Sequence, residues 1–275
     1  MGQLKAPGFF YGTAWKEEKT AALTLQALEA GFTAVDTANQ RKHYYEQAVG
    51  EGLKQFLAQG SKRREDLFLQ TKFTYAGGQD HRKPYNEDDP FTKQVADSFK
   101  SSLEHLHTDY LDSYVLHGPY KASGIQPADL ETWAAMEQLH QQKKVHHLGI
   151  SNVSAKQLIE LCAKVNVKPS FVQNRCFAKM GWDKQVREIC KAQGLQYQGF
   201  SLLTANRMEL ADPAVEDLAD KYGKTVPQIV FRFCRHLGMI CLTGTSNPQH
   251  MKQDLSVEDF ELSPDEISKI ENLNF

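Results

Sequence analysis

Along the 275-residue chain, short apolar, β-branched or aromatic runs alternate with longer stretches whose apolar positions recur every three or four residues, the period of an amphipathic helix. The short runs predict strands at 9–13, 32–37, 67–73, 110–118, 145–152, 171–176, 195–203 and 239–245. The longer stretches predict helices at 17–31, 44–60, 92–106, 129–142, 154–166, 183–194, 212–223 and 226–238. Gly31, Gly60, Gly194 and Gly223 stand where a helix C-cap favours the left-handed conformation. Asp212 followed by Pro213 reads as an N-cap and a first helical residue.

Strand-helix steps spread evenly over the chain, with no Gly/Ser/Pro linker and no shift of composition, predict one α/β domain over residues 1–275. The expected architecture is a (β/α)8 TIM barrel, a parallel eight-stranded barrel with outer helices. The segment TYAGGQDHRKPYNEDDP, residues 74–90, is longer than an ordinary βα connection and should hang over the C-terminal face.

Composition narrows the class of partner. With 32 Lys and Arg against 34 Asp and Glu and no basic block, neither nucleic acid nor a membrane surface is an expected partner; a small molecule is. Nothing near Met1 reads as a signal peptide or a myristoylation signal, so a cytoplasmic protein, monomeric or weakly dimeric, is expected. The five cysteines, Cys162, Cys176, Cys190, Cys234 and Cys241, are odd in number and hold no CxxC pair, which points to buried thiols and to no metal site.

Three ionisable residues close apolar strands: Asp36 the second, Lys72 the third and His117 the fourth. An acid and a base so placed neutralise one another across the barrel. That pair serves either as a structural clasp or as part of a proton-handling site, for which Tyr44 or Tyr45 is the candidate donor. An ammonium beside the phenol should lower its pKa. A Schiff-base reaction with Lys72 as nucleophile is a competing reading.

Taken in order, VDTANQRKHYY, LQTKF, DYLDSYVLHGP, HLGISN, FVQN, GFSLL and DKYGKTVPQIVFRF resemble the aldo-keto reductase family from near one end of the chain to the other. The resemblance implies a nicotinamide dinucleotide at the barrel mouth, NADPH with NADH as the alternative, and reduction of a small-molecule carbonyl compound, an aldehyde or ketone, without a metal. It assigns the catalytic tetrad to Asp36, Tyr44, Lys72 and His117. Most members carry the tyrosine five residues after the aspartate, whereas Tyr44 follows Asp36 by eight, so the loop holds an insertion. Tyr44 is preferred to Tyr45 for its place at the loop-to-helix junction, with His43 as a further rival.

For the cofactor the resemblance implies Ser151, Asn152 and Gln173 at the carboxamide and Phe200 stacked on the nicotinamide ring. Gly12, Thr13, Asp36, Ser201 and Leu203 would lie alongside, and Thr245, His250 and Gln253 at the adenosine end, helped by backbone N–H groups of the following short helix. Where members selective for the phosphorylated cofactor have a lysine and an arginine, this chain has Gly244 and His250, so selectivity should be weak. Phe9, Tyr11, Trp15, Tyr75 and Tyr85 are candidate lining of a substrate pocket left open by the short C-terminal end. A cofactor-binding regulatory subunit without catalysis is the alternative function on the same barrel.

Overall fold

The computed structural model describes residues 6–273; the Met-Gly start and the last two residues lie outside the described part. The strands β1 (Phe9–Gly12), β2 (Ala34–Asp36), β3 (Phe68–Phe73), β4 (Leu111–Leu116), β5 (Val145–Ser151), β6 (Phe171–Arg175), β7 (Gln196–Phe200) and β8 (Ile240–Thr243) pair in parallel and in sequence order. Pairing of Phe9 with Cys241 and of Tyr11 with Thr243 joins β1 to β8 and closes the barrel. The expected barrel is therefore observed. Each strand lies inside its expected segment and is shorter.

The outer layer consists of α1 (Thr20–Ala30), α2 (Glu46–Ala58), α3 (Phe91–Leu106), α4 (Pro127–Gln141), α5 (Ala155–Lys164), α6 (Lys184–Gln193), α7 (Pro213–Tyr222), α8 (Val226–His236), α9 (Pro248–Leu255) and α10 (Pro264–Glu271). Two of the expected helices, α7 and α8, share the connection between β7 and β8, and the chain after β8 supplies α9 and α10. Asp212 caps α7 as expected, accepting from the Ala214 N–H at 2.8 Å.

Side chains of the strands divide by face. Outward-facing apolar residues pack beneath the helices in the main core. Inside the barrel, Phe10, Ala34, Phe171, Ile240 and Leu242 form a separate apolar cluster. Gln70, Gln173 and Gln198 are also buried, and they hydrogen-bond among themselves and to Asp36.

Helix α2 is wedged between its neighbours. A Cβ on Gly50 would sit 1.8 Å from the His105 carbonyl oxygen, and one on Gly52 would sit 2.6 Å from that of Ala21. Only bare backbone permits this approach. Glu46, buried in the first turn of α2, accepts from Thr71 Oγ1 of β3 and lies 2.9 Å from His105 Nδ1 of α3. The start of α2 is thereby fixed against the barrel, which determines where the residues just before it stand.

Candidate active site

A cavity of about 1760 Å³ opens at the C-terminal ends of the strands, the face on which barrel proteins build their sites. Asp36 ends β2 and is buried there, accepting from Lys72 Nζ at 2.7 Å on both carboxylate oxygens. Gln70 Nε2 at 2.7 Å and Gln173 Nε2 at 3.0 Å also donate to it. The remaining Lys72 N–H donates to the Thr37 carbonyl at 2.8 Å. All three ammonium protons are placed, so Lys72 has no free electron pair for the attack that a Schiff-base reaction requires. Burial lowers the Lys72 pKa, and the charges and hydrogen bonds of Asp36 and the charge of Glu46 oppose that shift.

The insertion after Asp36 is taken up by a compact turn. Asn39 Nδ2 donates to the Ser98 carbonyl at 3.1 Å and Gln40 Nε2 to that of Gly78 at 2.7 Å. Backbone N–H groups of His43 and Tyr44 both reach the Gln40 carbonyl, at 3.2 and 3.0 Å. This brings the Tyr44 ring into the cavity, its centroid 5.2 Å from Lys72 Nζ and 5.9 Å from the His117 ring. Tyr45 instead lies under the Arg41 guanidinium at 3.9 Å, and His43 stacks on Trp15 at 4.2 Å. Of the two tyrosines, Tyr44 alone lines the cavity.

The expected acidification of the phenol is not found. Burial, and secondarily the Asp36 charge, push the Tyr44 pKa above the ordinary tyrosine value. The reason is that Lys72 is neutralised by Asp36 at contact distance, so its field at the phenol is largely cancelled while desolvation remains. His117 follows β4 and has its pKa pushed down to about 3, by burial first and then by Lys72 and His43. Its Nδ1 lies 2.7 Å from Thr74 Oγ1, and its backbone carbonyl accepts from Asn152 Nδ2 at 2.8 Å.

Gly12, Asp36, Ser151, Asn152, Gln173, Phe200, Ser201, Leu203, Thr245, His250 and Gln253, expected beside a dinucleotide, all line the cavity. Thr13 does not. It is buried behind the strand end with its hydroxyl donating to the Asp36 carbonyl at 3.0 Å. The expected N–H donors of α9 are engaged as well, because Asn247 Oδ1 accepts from Gln249 N at 2.8 Å and His250 N at 3.4 Å. Of the aromatic candidates for the substrate pocket, Trp15 and Tyr75 line the cavity, whereas Phe9 and Tyr11 pack in the core and Tyr85 donates to the Thr74 carbonyl at 2.6 Å.

Whether these residues suit a nicotinamide dinucleotide can be read from the groups left without partners. Gln173 Nε2 faces two acceptors, Asp36 and Gln198 Oε1, which fixes the orientation of its amide. Its Oε1 and the Oδ1 of Asn152 have no hydrogen-bond partner among the described residues and line the cavity together, a pair of acceptors suited to a carboxamide NH2. Phe200 offers a partly exposed ring with the Arg175 guanidinium 5.7 Å from its centroid. Lys16 lines the same cavity and donates to the Gly244 carbonyl, and a Cβ on Gly244 would lie 3.4 Å from Lys16 Nζ. Neither Lys16 nor Arg175 has a carboxylate partner among the described residues. The fit is good.

Sequence reading did not single out Lys16, Thr74, Arg175 or Asp254. Lys16 follows the GTAW stretch by one residue and Arg175 follows Gln173 by two, but their convergence on one cavity depends on barrel closure. Asp254 is buried at the cavity wall, and burial raises its pKa to about 6 against the hydrogen bond from Thr243 Oγ1 at 2.7 Å. Because the folded pKa lies above the unfolded one, Asp254 favours the fold in acid, and that contribution disappears as pH rises through about 6. Asp254→Asn should accordingly raise the melting temperature at about pH 8 more than at about pH 5. An equal effect at both values would refute the assignment.

The profile of the Aldo/keto reductase family matches residues 8–274. Among similar proteins, glyoxal reductase of Bacillus subtilis is 30% identical over 248 residues, covering 90% of this chain and 81% of its own length. D-galacturonate reductase of Fragaria ananassa is 29% identical over 276 residues, covering 93% and 82%. The crystal structure of a Bombyx mori aldo-keto reductase in complex with NADP superposes with a TM-score of 0.83 at 26% identity, covering 98% of this chain and 89% of that one.

Proposed function

We propose that this chain, which belongs to the aldo/keto reductase family, reduces small-molecule aldehydes or ketones with Tyr44 as the proton donor and Asp36, Lys72 and His117 as its partners. The chain is an NAD(P)-dependent oxidoreductase by family. The observation that carries the residue assignment is the placement of the Tyr44 ring over the Asp36–Lys72 pair and against His117, within the one cavity.

When bound, NADPH supplies a hydride to the carbonyl carbon. The protein's own part is to place the carbonyl oxygen between Tyr44 and His117 and to deliver a proton from the Tyr44 hydroxyl as charge builds on that oxygen. In the free protein that hydroxyl has no hydrogen-bond partner among the described residues, so it is available to a ligand. With its pKa above the ordinary tyrosine value the hydroxyl is protonated and a weaker acid in the free protein, and the charge building on the substrate oxygen draws the proton off. The Asp36–Lys72 pair lies beneath the ring and holds a fixed dipole there.

The carboxamide would be held by Asn152, Gln173 and Ser151, the ring against Phe200, and the phosphates near Lys16 and Arg175. Lys16 substitutes in space for the cation missing at Gly244, so the loss of selectivity expected from Gly244 and His250 is partly offset. Lys16→Gln should weaken NADPH binding about tenfold, the scale of one charge-assisted contact. A fluorescence titration showing an unchanged dissociation constant would remove Lys16 from the phosphate site.

The regulatory-subunit alternative has less support, since all four tetrad residues are present and three line the cavity with Lys72 bonded directly beneath. The same reading makes the chain one barrel domain, supported by the pairing of β1 with β8. It also makes it a cytosolic protein, a location supported by five buried free thiols, and a monomer or weak dimer; among the described residues no helix is long and apolar enough to cross a membrane. The test is consumption of NADPH, and separately NADH, with a panel of aliphatic and aromatic carbonyl compounds. Carbonyl-dependent consumption supports reduction, and tight cofactor binding without turnover across the panel supports the regulatory subunit.

A further inference from the structure

The hydrogen bond between Thr74 and His117 leaves open which partner carries the proton, and the surroundings decide it. Thr74 is 6% exposed at the wall of the cavity, and its hydroxyl has one hydrogen-bond partner among the described residues, His117 Nδ1 at 2.7 Å. A hydroxyl carries a proton that must be placed, and a buried donor without an acceptor is disfavoured. Were Nδ1 protonated, it would donate to Oγ1 and strand the threonine proton. With Nδ1 bare, Thr74 donates to it and both groups are satisfied.

The geometry around the pair is tightly held. A Cβ on Gly78 would lie 2.8 Å from Thr74 Cγ2, so the backbone of the 74–90 segment packs against the threonine methyl and fixes its rotamer. The imidazole is held from its own backbone, whose N–H donates to the Phe73 carbonyl at 2.9 Å and whose carbonyl accepts from Asn152 Nδ2 at 2.8 Å. Lys72, His43 and Tyr44 face the ring, and burial with the Lys72 charge keeps it neutral.

We propose that Thr74 is a positioning residue that fixes His117 as the Nε2-protonated tautomer, so that His117 presents an N–H to the carbonyl oxygen of the substrate. This rests on the carbonyl-reductase reading above. It divides the work at that oxygen: His117 donates a hydrogen bond that orients the carbonyl, and it has no vacant electron pair on the cavity side with which to compete for the Tyr44 proton.

The test is the ¹⁵N spectrum of histidine-labelled protein with and without NADP bound, with His117 assigned by difference against His117→Gln. The expected wild-type pattern is a bare Nδ1 and a protonated Nε2 for His117. Thr74→Val, which keeps the shape and removes the hydroxyl, should move the signals toward the opposite tautomer and lower kcat about tenfold, the scale of one hydrogen bond to the reacting oxygen. Cofactor affinity should stay constant, and Thr74→Ser should restore both the spectrum and the rate. A protonated Nδ1 in the wild type overturns the proposal, as does a Thr74→Val protein with the wild-type spectrum and rate. The wild-type spectrum decides the tautomer even if Thr74→Val fails to fold. It also decides it if no carbonyl compound is reduced, a result that would count against the reductase reading alone.

Discussion

Tyr44→Phe is expected to lower kcat for carbonyl reduction by about a thousandfold, within the range contributed by a positioned general acid, while the dissociation constant for NADPH stays within about threefold. Phenylalanine keeps the ring that packs 5.9 Å from His117 and 5.2 Å from Lys72 Nζ, so the cavity retains its shape. What is lost is the proton that is transferred to the substrate oxygen, which the neutral His117 N–H orients and does not protonate. No neighbour can replace it, because every proton of Lys72 is committed to Asp36 and Thr37. Tyr45→Phe is the matched control: its ring lies under Arg41, outside the cavity, and the rate should be unchanged. Steady-state kinetics of the two variants beside a fluorescence titration of the cofactor make the comparison. Retention of the rate in Tyr44→Phe, or its loss in Tyr45→Phe, would reassign the donor.

Asp36→Leu should destabilise the fold by about 3–5 kcal/mol, the usual consequence of leaving one partner of a buried ion pair alone. Lys72 is fully buried, and without Asp36 its ammonium keeps only the Thr37 carbonyl. Gln70 and Gln173 each lose an acceptor as well. The double variant Asp36→Leu/Lys72→Met should regain part of the stability, since both charges go and similar volume remains, yet it should stay inactive. Urea unfolding of the two variants distinguishes this from simple loss of packing. If the double variant is no more stable than the single one, the ion pair is not the source of the loss.

The order of strands and the ionisable strand ends were legible because both follow from local pattern, an apolar run ended by an ionisable residue; the tetrad as a set, Tyr44 included, came from the family resemblance and is the reading proposed above. Asp36, Lys72 and His117 could be placed at one mouth from strand position alone. The preference for Tyr44 over Tyr45 rested on the helix boundary, and the structure separates them by contacts of Asn39, Gln40 and Glu46 with distant elements. No local pattern displays such contacts. Thr13, Tyr11 and Tyr85 were expected at the cavity and do not line it, their hydroxyls being taken up by the backbone carbonyls of Asp36, Thr245 and Thr74. The lowered phenol pKa failed for a related reason: the effect of Lys72 on Tyr44 depends on how completely Asp36 neutralises it, and that is a matter of distance. Lys16 was invisible because it meets Gly244 only when β1 closes on β8.

The Tyr44→Phe effect presupposes that a hydride reaches the carbonyl carbon within this cavity. The most direct measurement of that step uses NADPH deuterated at the transferable position and follows the label into the product alcohol by mass spectrometry, with a carbonyl compound that is turned over and with Tyr44→Phe as the comparison. The expected result is one deuterium on the carbinol carbon of the wild-type product and almost no product from the variant. Cofactor consumption without label in the alcohol, or labelled alcohol formed equally fast by Tyr44→Phe, would contradict the assignment of this site.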